Sequence, residues 1–122
     1  MMDTITISGP PDGRVAGYKE VQVTNFEALV SGVLLFNAIP HLVQGICGKR
    51  HMTPFGKSSS PTINVAWGWV NLLAGGGVVI HSSSVPWTGI TYACFCMGGG
   101  LTSFLLARFW TNPDARLPWQ KK

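Results

Sequence analysis

The stretch FEALVSGVLLFNAIPHLVQGIC, residues 26–47, decides how the chain is read. Its only acid, Glu27, sits at one edge, and it contains no lysine or arginine. As a helix, about 20 apolar residues span a bilayer. Two comparable runs follow, TINVAWGWVNLLAGGGVVIH at 62–81 and ITYACFCMGGGLTSFLLARFW at 90–110. The last has almost no polar residue before Arg108. A soluble bundle would need a polar stripe there to face water. The expected fold is therefore all-α: an integral membrane protein of three transmembrane helices.

Composition agrees. Of 122 residues, 46% are hydrophobic and 11% charged, against roughly 25% charged in a soluble domain. Mean hydropathy is +0.25. These values argue against a soluble enzyme domain, a disordered tail and a disulfide scaffold. The formal net charge of +4 does not indicate a nucleic-acid partner, because the basic residues flank the apolar runs as topology signals do. Cys47, Cys94 and Cys96 are odd in number and irregular in spacing, so they read as small buried hydrophobes. Residues 1–25 form a polar segment with a turn-rich stretch at Gly9, Pro10, Pro11, Asp12 and Gly13. That segment lacks the apolar core of a signal peptide, so the first span is expected to act as an uncleaved insertion signal.

The segments between the spans read as loops. Residues 48–61 are a basic loop, 82–89 a short connection, and 111–122 a polar tail with Pro113 and Pro118. Lys49, Arg50, Lys57, Arg108, Arg116, Lys121 and Lys122 share one side, and Arg14 and Lys19 the other. Basic residues favour the cytoplasm, which predicts a multi-pass cell-membrane protein with its N-terminus outside and its C-terminus inside. Trp67, Trp69 and Trp110 then lie toward the inner interface, and Trp87 and Tyr92 toward the outer one.

Small residues mark helix-packing faces. Gly32 lies in the first span, Gly75 and Gly76 in the second, and Gly99, Ser103 and Ala107 recur at spacing four in the third. Depth arithmetic for antiparallel helices pairs Asn37 with Asn71, places His41 near Trp67 and Gly68, and pairs Gln44 with Asn64. These polar residues either fasten the first two helices or line a ligand site. Pro40 removes a backbone donor and is expected to kink or open the helix near Phe36. His41, just beyond it, is the one candidate ligand for a haem or a (bacterio)chlorophyll. No other metal or catalytic grouping is apparent, and His51 in the basic loop is expected to be solvated. Lys49, Arg50 and Lys57 are candidates for phospholipid headgroups, and Phe55 for a side chain that dips into the interface.

The stretch NAIPHLVQGICGKRHMTPFG, followed by SSPTINVAWGWVNLL, resembles a set of small bacterial multi-pass membrane proteins. They share an Asn-x-x-Pro-His element, a Gly-Lys/Arg-Arg turn, a Pro-Phe loop and a Ser-Ser-Pro entry to a tryptophan-bearing helix. The likeness implies no activity. It implies that Asn37, Pro40, His41, Arg50, Pro54 and Phe55 form one structural feature at the inner membrane face.

The functional expectation is a non-catalytic accessory subunit of a larger membrane complex, respiratory or photosynthetic, with other membrane subunits and phospholipids as partners. One alternative is a homo-oligomer that binds or transports a small molecule or lipid through Asn37, His41 and Asn71. The other is a pigment- or haem-ligating subunit acting through His41.

Overall fold

The computed structural model describes residues 13–120, without the side chains of residues 13–16 and 18. Gly9 to Asp12, the Arg14 side chain, Lys121 and Lys122 lie outside the described residues. Three long helices, α1 (Gly13–Ile46), α2 (Pro61–Ser82) and α3 (Gly89–Trp110), carry at one end a two-stranded hairpin, β1 (His51–Thr53) and β2 (Gly56–Ser59). Each helix contains a segment long and apolar enough to cross a membrane: Lys19–Ile46, Pro61–Ser82 and Gly89–Trp110. The chain is a three-helix, all-α, multi-pass membrane protein.

Burial is inverted relative to a water-soluble domain. Phe104 is 80% exposed and Ile80 76%, whereas Asn64 and Ser31 are 0%. Polar side chains need partners where the surroundings cannot supply hydrogen bonds, so they turn inward. Large aliphatic and aromatic side chains are as well solvated by lipid as by protein, so they remain outside. α1 is the central helix, and α2 and α3 each pack along it rather than on one another.

Two boundaries differ from the sequence expectation. α1 begins at Gly13, not near Phe26, so helix extends through the polar segment that precedes the apolar run. Helical backbone needs no apolar side chain once a turn is nucleated, which is why hydropathy missed this extension. The basic loop 48–61 holds the hairpin, with His51 paired to Ser59 and Thr53 to Gly56 across an irregularity. Its turn is fastened by side chains: Thr53 Oγ1 and Ser59 Oγ are 2.6 Å apart, and the Phe55 amide donates to Thr53 Oγ1 at 3.2 Å.

The helix ends explain the tight connections. Gly48, at φ +70°, closes α1. Its amide donates to Gly45 O and the Lys49 amide to Gln44 O, the paired bonds of a Schellman end. Ser60 caps α2, its side chain accepting from the Ile63 amide, with Pro61 in the first turn. A reciprocal Thr88–Thr91 capping box opens α3. α1 runs unbroken through Pro40.

The three cysteines are free. Cys47 and Cys96 are exposed and Cys94 is half-buried. This corrects the reading of buried hydrophobes: a weakly polar thiol tolerates lipid and need not turn inward.

α3 turns Thr91, Phe95, Gly98 and Gly99 toward α1. Ser103 and Ala107 do not continue that face; both are exposed. They extend a different row, Ala93, Cys96, Gly100, Ser103 and Ala107, spaced three and four apart. Ala93 and Cys96 are also exposed, and a Cβ added at Gly100 would meet nothing within 4 Å. On α2, Gly75 packs against Leu35 while Gly76 also faces open space.

Candidate functional site

At the end of the bundle that carries the hairpin, α1 presents Asn37 and His41 one turn apart on one face. Each is the terminus of a directed chain of hydrogen bonds.

Asn64, on the first turns of α2, anchors the first chain. Its Nδ2 donates to His51 O at 2.9 Å and to Ser59 O and Ser60 O, each at 3.1 Å. The two amide hydrogens are thereby shared among three carbonyls that can only accept. Asn64 Oδ1 must then be an acceptor, and it lies 3.0 Å from His41 Nδ1. His41 Nδ1–H is therefore the donor, which in the neutral ring leaves the lone pair on Nε2. Nε2 has no hydrogen-bond partner among the described residues.

Asn71 anchors the second chain. Its Nδ2 donates to Trp67 O at 2.9 Å, the carbonyl one turn back on α2. Its Oδ1 accepts from Asn37 Nδ2 at 3.2 Å. Asn37 Oδ1 remains, also without a partner among the described residues. The pairing of Asn37 with Asn71 matches the depth arithmetic. That of Gln44 with Asn64 does not: His41, one turn earlier on the same face, takes Asn64, and Gln44 is half-buried without a hydrogen bond to it.

Asn37 and His41 line a cavity of about 170 Å³, together with Met52, Thr53, Pro54, Trp67, Leu106, Phe109, Trp110 and Leu117. The hairpin and the chain after α3 close this end. Trp119 Nε1 donates to Pro54 O at 3.0 Å, and Gln120 Nε2 to Thr53 O at 2.8 Å. Larger depressions of about 400 and 320 Å³ lie on the surface near Arg108 and Arg116, and near Glu27 and His81. Neither contains a buried, unpaired side chain.

His51 is not solvated as expected. Its ring centroid lies 4.2 Å from that of Trp110 and 5.4 Å from that of His41. Burial pushes its imidazole below the ordinary value, and His41 alongside adds a smaller push. His51 Nε2 and Trp110 Nε1 are buried without partners. Hairpin formation carries His51 inward, and no local pattern in the loop sequence reports that.

The remaining candidates are scattered. Arg50 Nη1 donates to Ser58 O at 2.9 Å and so ties the hairpin's flank, whereas Lys49 and Lys57 are exposed. Phe55 is 73% exposed, with its ring edge-on to Trp67 at 5.5 Å. At the far end of the bundle, His81 Nδ1 and Glu27 Oε1 are 3.2 Å apart, a pair the sequence reading did not foresee. His41 is only 6% exposed, and the cavity beside it is the size of one small ring. An engineered cavity of roughly 150 Å³ takes a benzene, and a tetrapyrrole is far larger. The space beside His41, as the described residues shape it, is therefore smaller than a haem or chlorophyll.

Comparison with protein families, curated proteins and solved structures finds no match to this chain.

Proposed function

We propose that the protein is a small, non-catalytic accessory subunit of a larger membrane complex, with its N-terminus outside and its C-terminal end in the cytoplasm. One observation carries the assembly reading: the outward row Ala93, Cys96, Gly100, Ser103 and Ala107 on α3. Its alternating spacing of three and four is that of a helix–helix seam. In lipid, such seams form where small side chains let two backbones approach. α1 already occupies the opposite side of α3, through Gly98 and Gly99. No helix among the described residues covers this row, and a transmembrane helix of another chain is the occupant it suits. The orientation rests on Lys49, Arg50, Lys57, Arg108 and Arg116, which flank the spans on the hairpin side, against Lys19 on the other. Exposed Lys49 and Lys57 suit anionic phospholipid headgroups there.

The test is purification of the tagged chain in mild detergent, with partners read by mass spectrometry and a visible spectrum taken of the same fraction. Stoichiometric partners that survive washing support the reading. An absorption band that co-elutes with them marks the complex as respiratory or photosynthetic. Gly100→Leu should leave the fold intact, since a Cβ there meets nothing within 4 Å among the described residues, and should release the partner. A colourless homo-oligomer, or a partner indifferent to Gly100→Leu, overturns the proposal.

A further inference from the structure

Two separate features converge on the cavity at the hairpin end: both hydrogen-bond chains run in the same direction, and both end there. From Trp67 O through Asn71, the chain ends on Asn37 Oδ1. From the hairpin carbonyls through Asn64, it ends on His41 Nε2. Each terminal atom is an acceptor: Asn37 Oδ1 because Asn37 Nδ2 is the atom that donates to Asn71 Oδ1, and His41 Nε2 because Nδ1 carries the proton of the neutral ring. The two side chains sit four residues apart on α1, about 6 Å along the axis. Reversing the histidine end would turn the Asn64 carboxamide and take its hydrogens away from His51 O and Ser59 O.

The walls narrow the ligand further. Apart from these acceptors the cavity is mainly apolar and aromatic, with Leu106 and Phe109 on one side. Its lining residue Trp110 also carries a buried Nε1–H without a partner among the described residues, a donor that a hydroxyl oxygen can accept from while its own hydrogen is donated. Its volume of about 170 Å³ is that of a single substituted six-membered ring. No acidic residue lines it, so a cation entering from the membrane would lack a counter-ion and carry a large desolvation cost. What remains is a neutral, lipid-soluble ring with hydrogen-bond donors at its edge. Two hydroxyls at opposite ends of one ring match two acceptors a helical turn apart.

We propose that this cavity binds the head group of a membrane-soluble hydroquinone, one hydroxyl donating to His41 Nε2 and the other to Asn37 Oδ1, with the ring against Leu106 and Phe109. The binding involves no electron transfer. It is independent of the assembly seam on α3, which faces away from the cavity.

The experiment titrates the full chain, reconstituted in lipid nanodiscs, with a short-chain alkylhydroquinone under anaerobic conditions. Binding is followed by calorimetry and by quenching of tryptophan fluorescence. Saturable one-to-one binding is expected. The corresponding quinone, which has carbonyls in place of both donors, should bind at least about tenfold more weakly. Asn37→Leu and His41→Leu should each reduce hydroquinone affinity by a similar factor. His41→Leu also removes a partner of Asn64 and so disturbs the fold, which makes Leu106→Trp the second variant. That substitution fills the cavity from α3, touches neither chain of hydrogen bonds, and should abolish binding while partner co-purification persists. Equal affinity for quinone and hydroquinone, no saturable binding, or binding unaffected by Leu106→Trp each overturns the proposal. Loss of the partner without loss of hydroquinone binding would instead count against the assembly reading alone.

Discussion

The two faces of α1 are fastened by different physics. Against α2, side chains mainly meet side chains; the exception is Gly45 at the hairpin end, where a Cβ would lie 2.7 Å from Pro61 O and 2.9 Å from the Val65 amide nitrogen. Asn37 pairs with Asn71, His41 with Asn64 and Glu27 with His81. Between these bridges, leucines close over glycines, Leu35 on Gly75 and Leu42 on Gly68. Against α3, backbone meets backbone. A Cβ at Gly98 would strike Leu29 O, and one at Gly32 would strike Phe95 O. Among the described residues, the only side-chain hydrogen bond across that face is Thr91 to Asn25, at 2.8 Å near the far end. The polar face carries the information that shapes the cavity. The glycine face carries the close approach that packing in lipid requires.

The largest expected effect breaks the glycine face. Gly98→Ala places a methyl group against the backbone of Leu29, which cannot swing away. Gly75→Ala meets Leu35 Cγ and Cδ2 at 2.8 and 2.9 Å, side-chain atoms that a change of rotamer can move, and Leu34 Cβ at 3.2 Å. Overpacking a rigid contact costs about 1–3 kcal/mol. Gly98→Ala should fall at the upper end of that range and Gly75→Ala at the lower. Gly76→Ala and Gly77→Ala, with open space at both, should be nearly neutral. Reversible unfolding in detergent, with all four variants side by side, checks the order. Equal costs for Gly98→Ala and Gly75→Ala would remove the distinction between the faces.

This contrast also sets how much was legible in the sequence. The three spans follow from hydropathy alone, and the Asn37–Asn71 pair from antiparallel depth. The rotation of α3 does not follow. An apolar helix in lipid has no amphipathic period, and Gly98, Gly99 and Gly100 in a row point in every direction at once. The spacing-four row Gly99, Ser103, Ala107 therefore looks like one face in the sequence, although Gly99 turns to Phe36 and the other two turn outward. The hairpin was illegible for another reason. Its strands have three and four residues, too few for an alternating pattern. They are held by Asn64 and by Trp119 and Gln120, which lie outside the loop. The burial of His51, and much of the cavity, depends on those distant contacts.

A smaller effect separates the bridges within the polar face. Asn71→Leu removes one interhelical hydrogen bond near mid-span, and such bonds average about 0.6 kcal/mol in membranes. Asn64→Leu removes the side-chain partner of His51 O, Ser59 O and His41 Nδ1, while Ser60 O keeps the backbone amide of residue 64. Leaving a buried polar group unpaired costs about 1–3 kcal/mol, so Asn64→Leu should cost several times as much as Asn71→Leu. It should also loosen the hairpin. Amide hydrogen exchange over residues 51–59 is the readout. Faster exchange there in Asn64→Leu, but not in Asn71→Leu, identifies Asn64 as the residue that joins hairpin to bundle.

The smallest effect is a matter of pH, and it tests whether the hairpin end is packed as described. Burial favours the neutral form of His51, so its imidazole holds a proton less readily in the folded chain than in the unfolded one. Above the ordinary imidazole range, about 6.5, both states are neutral and the residue adds no pH dependence. As the pH falls through that range the unfolded chain takes up the proton first, so stability must fall with it. His51→Phe keeps an aromatic ring against Trp110 and removes the titration. Because His41 is present in both proteins, the difference between their unfolding curves from pH 8 to pH 5 reads the titration of His51 together with its coupling to the neighbouring His41. The wild-type chain should lose stability relative to His51→Phe only on the acid side. A difference that is flat with pH would mean that His51 is as well hydrated in the fold as out of it. The hairpin would then lie open to water, and the cavity it closes would not exist.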